Sequence, residues 1–162
     1  MMNPIIAALV VTAAMCTGLM YACLAAISKK YSRAEEEEEL RIMAAEKEYE
    51  NRIKDYLTKQ GCWYIKYWGG GGFTRSGVPD LLICCSGYFI AAEVKAKNGR
   101  PSDLQLKKLR DIREAGGIAV LLYPDDFETF KRLIRAVQAE EHSIIKALTA
   151  HFEEKEKRYV ER

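Results

Sequence analysis

The stretch that decides the fold spans residues 77–95 and reads GVPDLLICCSGYFIAAEVK. It contains two apolar runs joined by Ser86-Gly87, a pair of residues typical of a tight turn. The pattern predicts an antiparallel hairpin in which Cys85 lies opposite Tyr88. The first run is apolar on both faces after its first residue, as expected for a strand in the middle of a sheet.

Three charged residues of this hairpin are predicted to meet on one face. Counting outward along both strands from the turn brings Asp80 opposite Glu93, and directly opposed residues have Cβ atoms about 4.5–5.5 Å apart. Lys95, two residues beyond Glu93, projects from the same face. The deduction depends on register, because a slip of one residue would send Glu93 to the other face.

Two opposed carboxylates among apolar residues favour a divalent cation at this position. Like charges opposite each other destabilise a sheet, and buried carboxylates are costly to desolvate. Magnesium typically takes one or two protein carboxylates, retains several waters and engages substrate phosphate. The alternative is a salt bridge among Asp80, Glu93 and Lys95 at the end of a sheet, with no metal.

The rest of the chain adds helices and two more strands around the hairpin. The order of predicted elements is helix, three strands, helix, strand, helix, which indicates an α/β domain with a mixed sheet flanked by helices. The predicted strands are 62–68, 80–85, 88–95 and 118–123, and the predicted helices are 28–59, 101–115, 125–139 and a charged segment from 140.

The first 27 residues contain no charged side chain, and residues 4–27 are mostly apolar. Twenty-four helical residues span the roughly 30 Å core of a bilayer. The positive charges that follow, at Lys29, Lys30 and Arg33, predict a single-pass helix with the C-terminal side in the cytoplasm. If Met43 is the true start, the protein is instead cytoplasmic.

Four segments are expected. They are a transmembrane helix at 1–28, a charged helical spacer at 29–45, a folded domain at 46–138 and a charged C-terminal helix at 139–162. The net charge of +2 is too small to indicate nucleic acid binding by itself. The five cysteines show no CxxC or CxxxH spacing, so reduced thiols are expected rather than zinc or a disulfide framework.

The pattern GVPDLLI, then AAEVKAKNGRPSDLQ, then GGIAVLLYP resembles the PD-(D/E)XK nucleases, and within them the VRR-NUC branch. Archaeal Holliday-junction resolvases belong to the same superfamily. The resemblance implies a restriction-endonuclease-like αβββαβ core and metal-dependent DNA hydrolysis. It implies Mg²⁺ or Mn²⁺ as cofactor, DNA as substrate and a homodimer as one arrangement seen among related resolvases.

The resemblance also implies roles for individual residues. Asp80 and Glu93 would ligate the metal, the carbonyl of Val94 would add a ligand, and Lys95 would orient or deprotonate the attacking water or stabilise charge on the phosphate. The family tends to place a glutamate on the first helix. Glu50 matches best and would also reach the metal, with Glu46 and Glu48 as the other candidates.

Gln105 has two explanations that do not exclude each other. Ser102-Asp103-Leu104-Gln105 fits a helix capping box, whereas the family resemblance makes Gln105 an active-site residue.

DNA contacts are expected near the loop of four glycines at 69–72. Close approach of a DNA backbone there would bring Lys66, Thr74 and Arg75 near phosphates, although a flexible connection explains the loop equally well. Basic residues on the following helix are further candidates for phosphate contacts, or simply exposed charges: Lys107, Lys108, Arg110 and Arg113.

The function predicted from the sequence is a membrane-tethered, metal-dependent endonuclease that cuts DNA by shape or without specificity. One alternative is a catalytically silent nuclease fold that only binds nucleic acid. The other is a membrane-anchored adaptor that uses its charged helices to bind partners.

Overall fold

A computed structural model describes residues 4–67 and 76–160 of the chain. The chain divides into two compact units, Met1–Arg41 and Ile42–Arg162. Helix α1, Pro4–Lys59, supplies the described part of the first unit and the beginning of the second. Within the described ranges, no helix combines the length and the apolar character needed to cross a bilayer, so the predicted transmembrane helix is not confirmed.

The second unit contains one sheet of four strands in the order β1-β2-β3-β4. The first three strands are antiparallel neighbours and β3 pairs with β4 in parallel, which confirms the predicted mixed sheet of an α/β fold. The strands are β1 Trp63–Lys66, β2 Leu81–Cys85, β3 Tyr88–Val94 and β4 Ile118–Leu122. The helices that follow α1 are α2 Asp103–Glu114, α3 Phe127–Gln138 and α4 His142–Val160, with a short 3-10 turn at Pro124–Asp126.

The hairpin of β2 and β3 has the predicted register. Cys85 pairs with Tyr88, and the ladder extends to Leu81 opposite Ala92. Both turn residues have positive φ, 47° at Ser86 and 82° at Gly87, as a two-residue hairpin turn of this hand requires. Strand β1 is shorter than the predicted 62–68, because its pairing with β2 ends where Lys66 meets Leu81.

The sheet has apolar packing on both faces. One face packs against α1, α3 and α4 through side chains such as Ile53, Phe130 and Phe152. The other face packs against α2, where Leu106 and Leu109 cover Ala91 of β3 and neighbouring residues of β4. Side chains alternate along a strand, so Glu93 and Lys95 fall on the α2 face together with Ala91.

Helix α4 contributes more to the core than its charged composition indicates. Three apolar residues, Ile145, Leu148 and Phe152, lie at helical spacing and are buried against the sheet. Arg113 of α2, one of the candidates for phosphate contacts, instead pairs with the buried Glu156 of this helix and donates to the carbonyl of Ala119 at 2.9 Å. The phosphate-contact interpretation of Arg113 is therefore wrong, because its guanidinium is engaged by Glu156 and the carbonyl of Ala119.

Candidate active site

Asp80 is positioned by the turn that precedes β2. Gly77 has φ of +77°, and a Cβ there would lie 2.6 Å from Cγ of Leu104 on α2, so only glycine fits this close approach. The turn leads into Asp80, whose Oδ2 accepts the backbone N–H of Val94 at 2.9 Å. The Asp80 carboxylate therefore lies beside the end of β3, next to Glu93, as the hairpin register predicts.

Glu93 is the most enclosed charged residue in this region, with 1% of its surface exposed. One carboxylate oxygen, Oε1, accepts Lys95 Nζ at 2.7 Å and also Nε2 of Gln105. The other oxygen, Oε2, is buried and has no hydrogen-bond partner among the described residues. A buried acceptor left in this way is costly, which indicates that Oε2 is shaped to receive a ligand.

Burial and the neighbouring Asp80 carboxylate raise the pKa of Glu93 to about 7, although Lys95 opposes them. The pKa of Asp80 is also raised, again chiefly by burial, with the Val94 N–H and Lys95 acting in the other direction. Burial alone would lower the pKa of Lys95, but Glu93 outweighs it and the net pKa is raised. Two carboxylates that resist ionisation side by side are the electrostatic signature of a site that gains from a cation.

Gln105 forms the predicted capping box and also contacts Glu93. Its Oε1 accepts the backbone N–H of Ser102 at 2.8 Å, while Ser102 Oγ accepts the N–H of Gln105 at 3.3 Å, so the capping box is present. Its Nε2 donates to Glu93. The amide thus connects the first turn of α2 to the buried carboxylate.

The structure brings two glutamates of α1 to the same region with different partners. Glu50 is 5% exposed and lies between Lys54 and Lys66, at 2.9 and 2.5 Å. Burial tends to raise the pKa of Glu50, but hydrogen bonds from these two lysines outweigh it and lower the pKa. Glu46 instead accepts the N–H of Ala96 at 3.2 Å and lies 3.8 Å from Lys95 Nζ.

A cleft of about 250 Å³ opens between α1, β1 and the ends of β2 and β3. It is lined by Met43, Glu46, Lys47, Glu50, Lys66, Asp80, Val94 and Lys95. Of the predicted DNA-contacting residues, Lys66 lies in this cleft, whereas Thr74, Arg75 and the glycines at 69–72 lie outside the described residues. Lys47 also lines the cleft and was not predicted, because nothing distinguishes it from other lysines of a charged helix.

The comparisons with known proteins identify the family. A model of the archaeal Holliday junction resolvase (Hjc) matches residues 43–147, about two thirds of the chain. The chain belongs to the archaeal Holliday junction resolvase family. Searches of curated proteins and of solved structures found no significant match.

Family membership confirms the prediction at the level of the nuclease fold and not at the level of its branch. The resolvase family is a PD-(D/E)XK-like nuclease family, so the superfamily is confirmed, whereas the VRR-NUC branch is not. Members of the resolvase family are DNA nucleases that generally use divalent metal ions and often form dimers.

The two carboxylates of this site, Asp80 and Glu93, fit a divalent cation by their chemistry. Among the described residues, no cluster of three or more His, Cys, Asp or Glu is placed to hold a metal by itself. Asp80 and Glu93 provide two neighbouring carboxylates, and Glu93 Oε2 is an unused buried acceptor. Two hard oxygen ligands are what Mg²⁺ needs from a protein when phosphate supplies others.

Comparing Gln105→Ala with Ser102→Ala separates the two roles of the amide. Both changes remove part of the capping box and should cost about 1 kcal/mol in urea denaturation. Only Gln105→Ala removes the donor to Glu93, so it alone should slow DNA cleavage, by about 10–100-fold in single-turnover assays. Equal losses of activity in the two variants would show that Gln105 matters only as a cap.

Proposed function

We propose that this protein is a metal-dependent endonuclease that hydrolyses phosphodiester bonds in branched DNA. The proposal is carried by one observation, the unpartnered and buried Oε2 of Glu93 beside the Asp80 carboxylate. The match to the resolvase family supports DNA as the substrate. The open cleft lined by Asp80, Val94 and Lys95 supports access by a phosphate backbone.

Asp80 and Glu93 would hold Mg²⁺ or Mn²⁺, with the carbonyl of Val94 as a further ligand. The cation would supply Lewis acidity to the phosphate and lower the pKa of bound water. Hydrogen bonds from Val94 N–H to Asp80 and from Gln105 to Glu93 orient the two carboxylates before any ligand arrives. Orientation of ligands in advance is the usual function of such outer contacts.

Lys95 acts as a cation rather than as a base. Its raised pKa keeps the ammonium protonated near neutral pH, and it lies 2.7 Å from Glu93. A protonated lysine at this position stabilises negative charge on the phosphate oxygens and orients the attacking water. Lys66 and Lys54 both pair with Glu50, and Glu50 and Lys66 line the cleft. We therefore assign Glu50 to holding Lys66 toward DNA, in addition to its predicted contact with the metal.

The test is cleavage by the full-length chain, purified in mild detergent. Four-way junction, linear duplex and supercoiled DNA are incubated with Mg²⁺, Mn²⁺ or EDTA. We expect cutting of the junction with either metal and no cutting in EDTA, with Asp80→Ala and Lys95→Ala inactive. Glu154→Gln, which alters an exposed carboxylate of α4, is the matched control and should remain active.

The other outcomes identify the alternatives. Binding of all substrates without cutting would support a silent nucleic-acid-binding fold. Neither binding nor cutting would support the membrane-anchored adaptor. Equal cutting of all three DNA forms would keep the nuclease but reject selectivity for branched DNA.

We propose further that two chains form a homodimer through the open part of the α2 face of the sheet. The register aligns Trp63, Cys84 and Phe89 across three strands, and all three are exposed, Trp63 by 64% and Phe89 by 46%. An exposed apolar row of this kind is typical of an interface. Light scattering should give a dimer for the wild type and a monomer for Trp63→Asp, with Ile144→Asp on α4 as the control.

Membrane tethering through residues 4–27 is also proposed, with the nuclease on the cytoplasmic side. Its support is the uncharged apolar sequence followed by Lys29, Lys30 and Arg33. Fractionation of cells expressing the full chain and residues 42–162 tests it. Only the full chain should sediment with membranes and resist extraction by carbonate.

A further inference from the structure

Two cysteines of the core lie side by side although they are 23 residues apart. Trp63 pairs with Cys84 in the antiparallel ladder of β1 and β2, so Cys62 lies opposite Cys85 one step beyond. Their Sγ atoms are 2.7 Å apart, and the residues are 8% and 3% exposed. Nothing in the spacing of the cysteines along the sequence indicates this contact.

The separation is too short for two thiols that merely touch. Non-bonded heavy atoms settle at about 3.5–4.0 Å, whereas a disulfide bond is about 2.05 Å long. The sulfur atoms are thus closer than ordinary contact allows and slightly nearer to bonding distance than to contact distance. Directly opposed positions of an antiparallel pair also bring the Cβ atoms to a separation that approaches the range of disulfides.

We propose that Cys62 and Cys85 are a modification site that forms a disulfide between the strands β1 and β2. The oxidant is a low-molecular-weight disulfide. One cysteine thiolate attacks it, forms a mixed disulfide and releases one small thiolate. The second cysteine thiolate then attacks the protein sulfur of that mixed disulfide and releases the second small thiolate. Each released thiolate takes up the proton that a cysteine lost, so two protein thiols are oxidised and one small disulfide is reduced.

Burial determines when this chemistry occurs. It raises the pKa of Cys62 to about 12, with the hydrogen bond to Cys85 adding to the effect. Since the thiolate is the reactive form, exchange in the folded protein is slow, and the bond forms most readily while the chain folds. Once formed, the disulfide is protected from reduction because its buried sulfur atoms are shielded from external thiolates.

The disulfide would close a ring of residues 62–85, which contains β1, Lys66 and Asp80. Strand β1 lies at the edge of the sheet and pairs with β2 through only four residue pairs. A covalent bond at the start of β1 would keep this strand paired, and with it the lysine that contacts Glu50. The proposal does not depend on nuclease activity.

Counting thiols by mass tests the proposal in the full-length chain. The protein is treated with oxidised glutathione during refolding or with a strong reductant, then denatured in acid and alkylated with N-ethylmaleimide. The chain has five cysteines, so the reduced form should carry five additions and the oxidised form three. Peptide mapping should join Cys62 to Cys85, and the oxidised form should melt about 5–10 °C higher.

Cysteine variants identify which two residues form the disulfide. Cys84→Ser changes the exposed neighbour and should retain the loss of two thiols, whereas Cys62→Ala and Cys85→Ala should each abolish the mapped link. Five additions in the oxidised wild type, or a link between other cysteines, would overturn the proposal. The mapping uses the wild-type chain, so the result stands even if a core variant fails to fold.

Discussion

Glu93→Gln is expected to abolish DNA cleavage, by about 10³-fold or more, while making the fold more stable at pH 8. The amide has the shape of the carboxylate and its oxygen can still accept from Lys95 and Gln105. It has no negative charge with which to hold a divalent cation. Activity and stability should therefore move in opposite directions.

The gain in stability follows from the sign of the pKa shift. The pKa of Glu93 is raised to about 7 in the folded state from its ordinary value of 4.5. The folded protein thus binds this proton more tightly than the unfolded chain does, and wild-type stability falls as the pH rises from about 4.5 to about 7. Above pH 7 the ionised carboxylate costs up to roughly 3 kcal/mol, which the variant does not incur.

Urea denaturation without metal at pH 5 and pH 8 measures this effect. Glu93→Gln should equal the wild type at pH 5 and exceed it by about 1–3 kcal/mol at pH 8. Adding Mn²⁺ at pH 8 should raise the melting temperature of the wild type but not of the variant, and Glu154→Gln should behave as wild type in every assay. A variant that still cuts DNA, or that is less stable at pH 8, would reject this assignment of Glu93.

Arg113→Met is expected to destabilise the fold by about 3–5 kcal/mol, the largest effect predicted away from the cleft. Arg113 donates through Nη2 to Glu156, which is 4% exposed, and through Nε to the carbonyl of Ala119. Removing the guanidinium leaves a buried carboxylate without the partner that offsets its desolvation.

A double-variant cycle shows whether the destabilisation comes from loss of the Arg113–Glu156 ion pair or from loss of side-chain packing. Arg113→Met combined with Glu156→Leu removes both charges and should recover most of the loss, because an apolar pair can replace a buried ion pair. Arg110→Met changes an exposed arginine of the same helix and should stay within about 0.5 kcal/mol of wild type in urea denaturation. A loss below 1 kcal/mol for Arg113→Met would show that the ion pair contributes little.

The sequence predicted those features that depend on neighbouring residues, such as a turn or a helix cap. The two-residue turn at Ser86-Gly87 fixes the hairpin register, and register alone brings Asp80 next to Glu93. Residue type and spacing also predicted the capping box of α2.

The sequence did not predict what depends on distant partners. The sequence favoured Glu50 over Glu46 but did not predict their partners, because only the position of α1 against β1 and β3 brings Glu46 to Lys95 and Glu50 to Lys66. From the sequence, Arg113 is indistinguishable from an exposed basic residue. Its partner Glu156 is 43 residues away and contacts it only in the folded chain. The charged composition of α4 likewise gave no indication that Ile145, Leu148 and Phe152 are buried.

The side-chain amide of Gln105 forms a hydrogen bond through its oxygen and another through its nitrogen, and neither depends on titration of the glutamine. Its oxygen is committed to the Ser102 N–H, so the orientation of the amide is settled by the cap and its NH₂ group must face Glu93. A glutamine side chain does not titrate. This donor therefore persists across the whole range in which Glu93 gains or loses its proton, and the protonation state of the site can change without any loss of alignment.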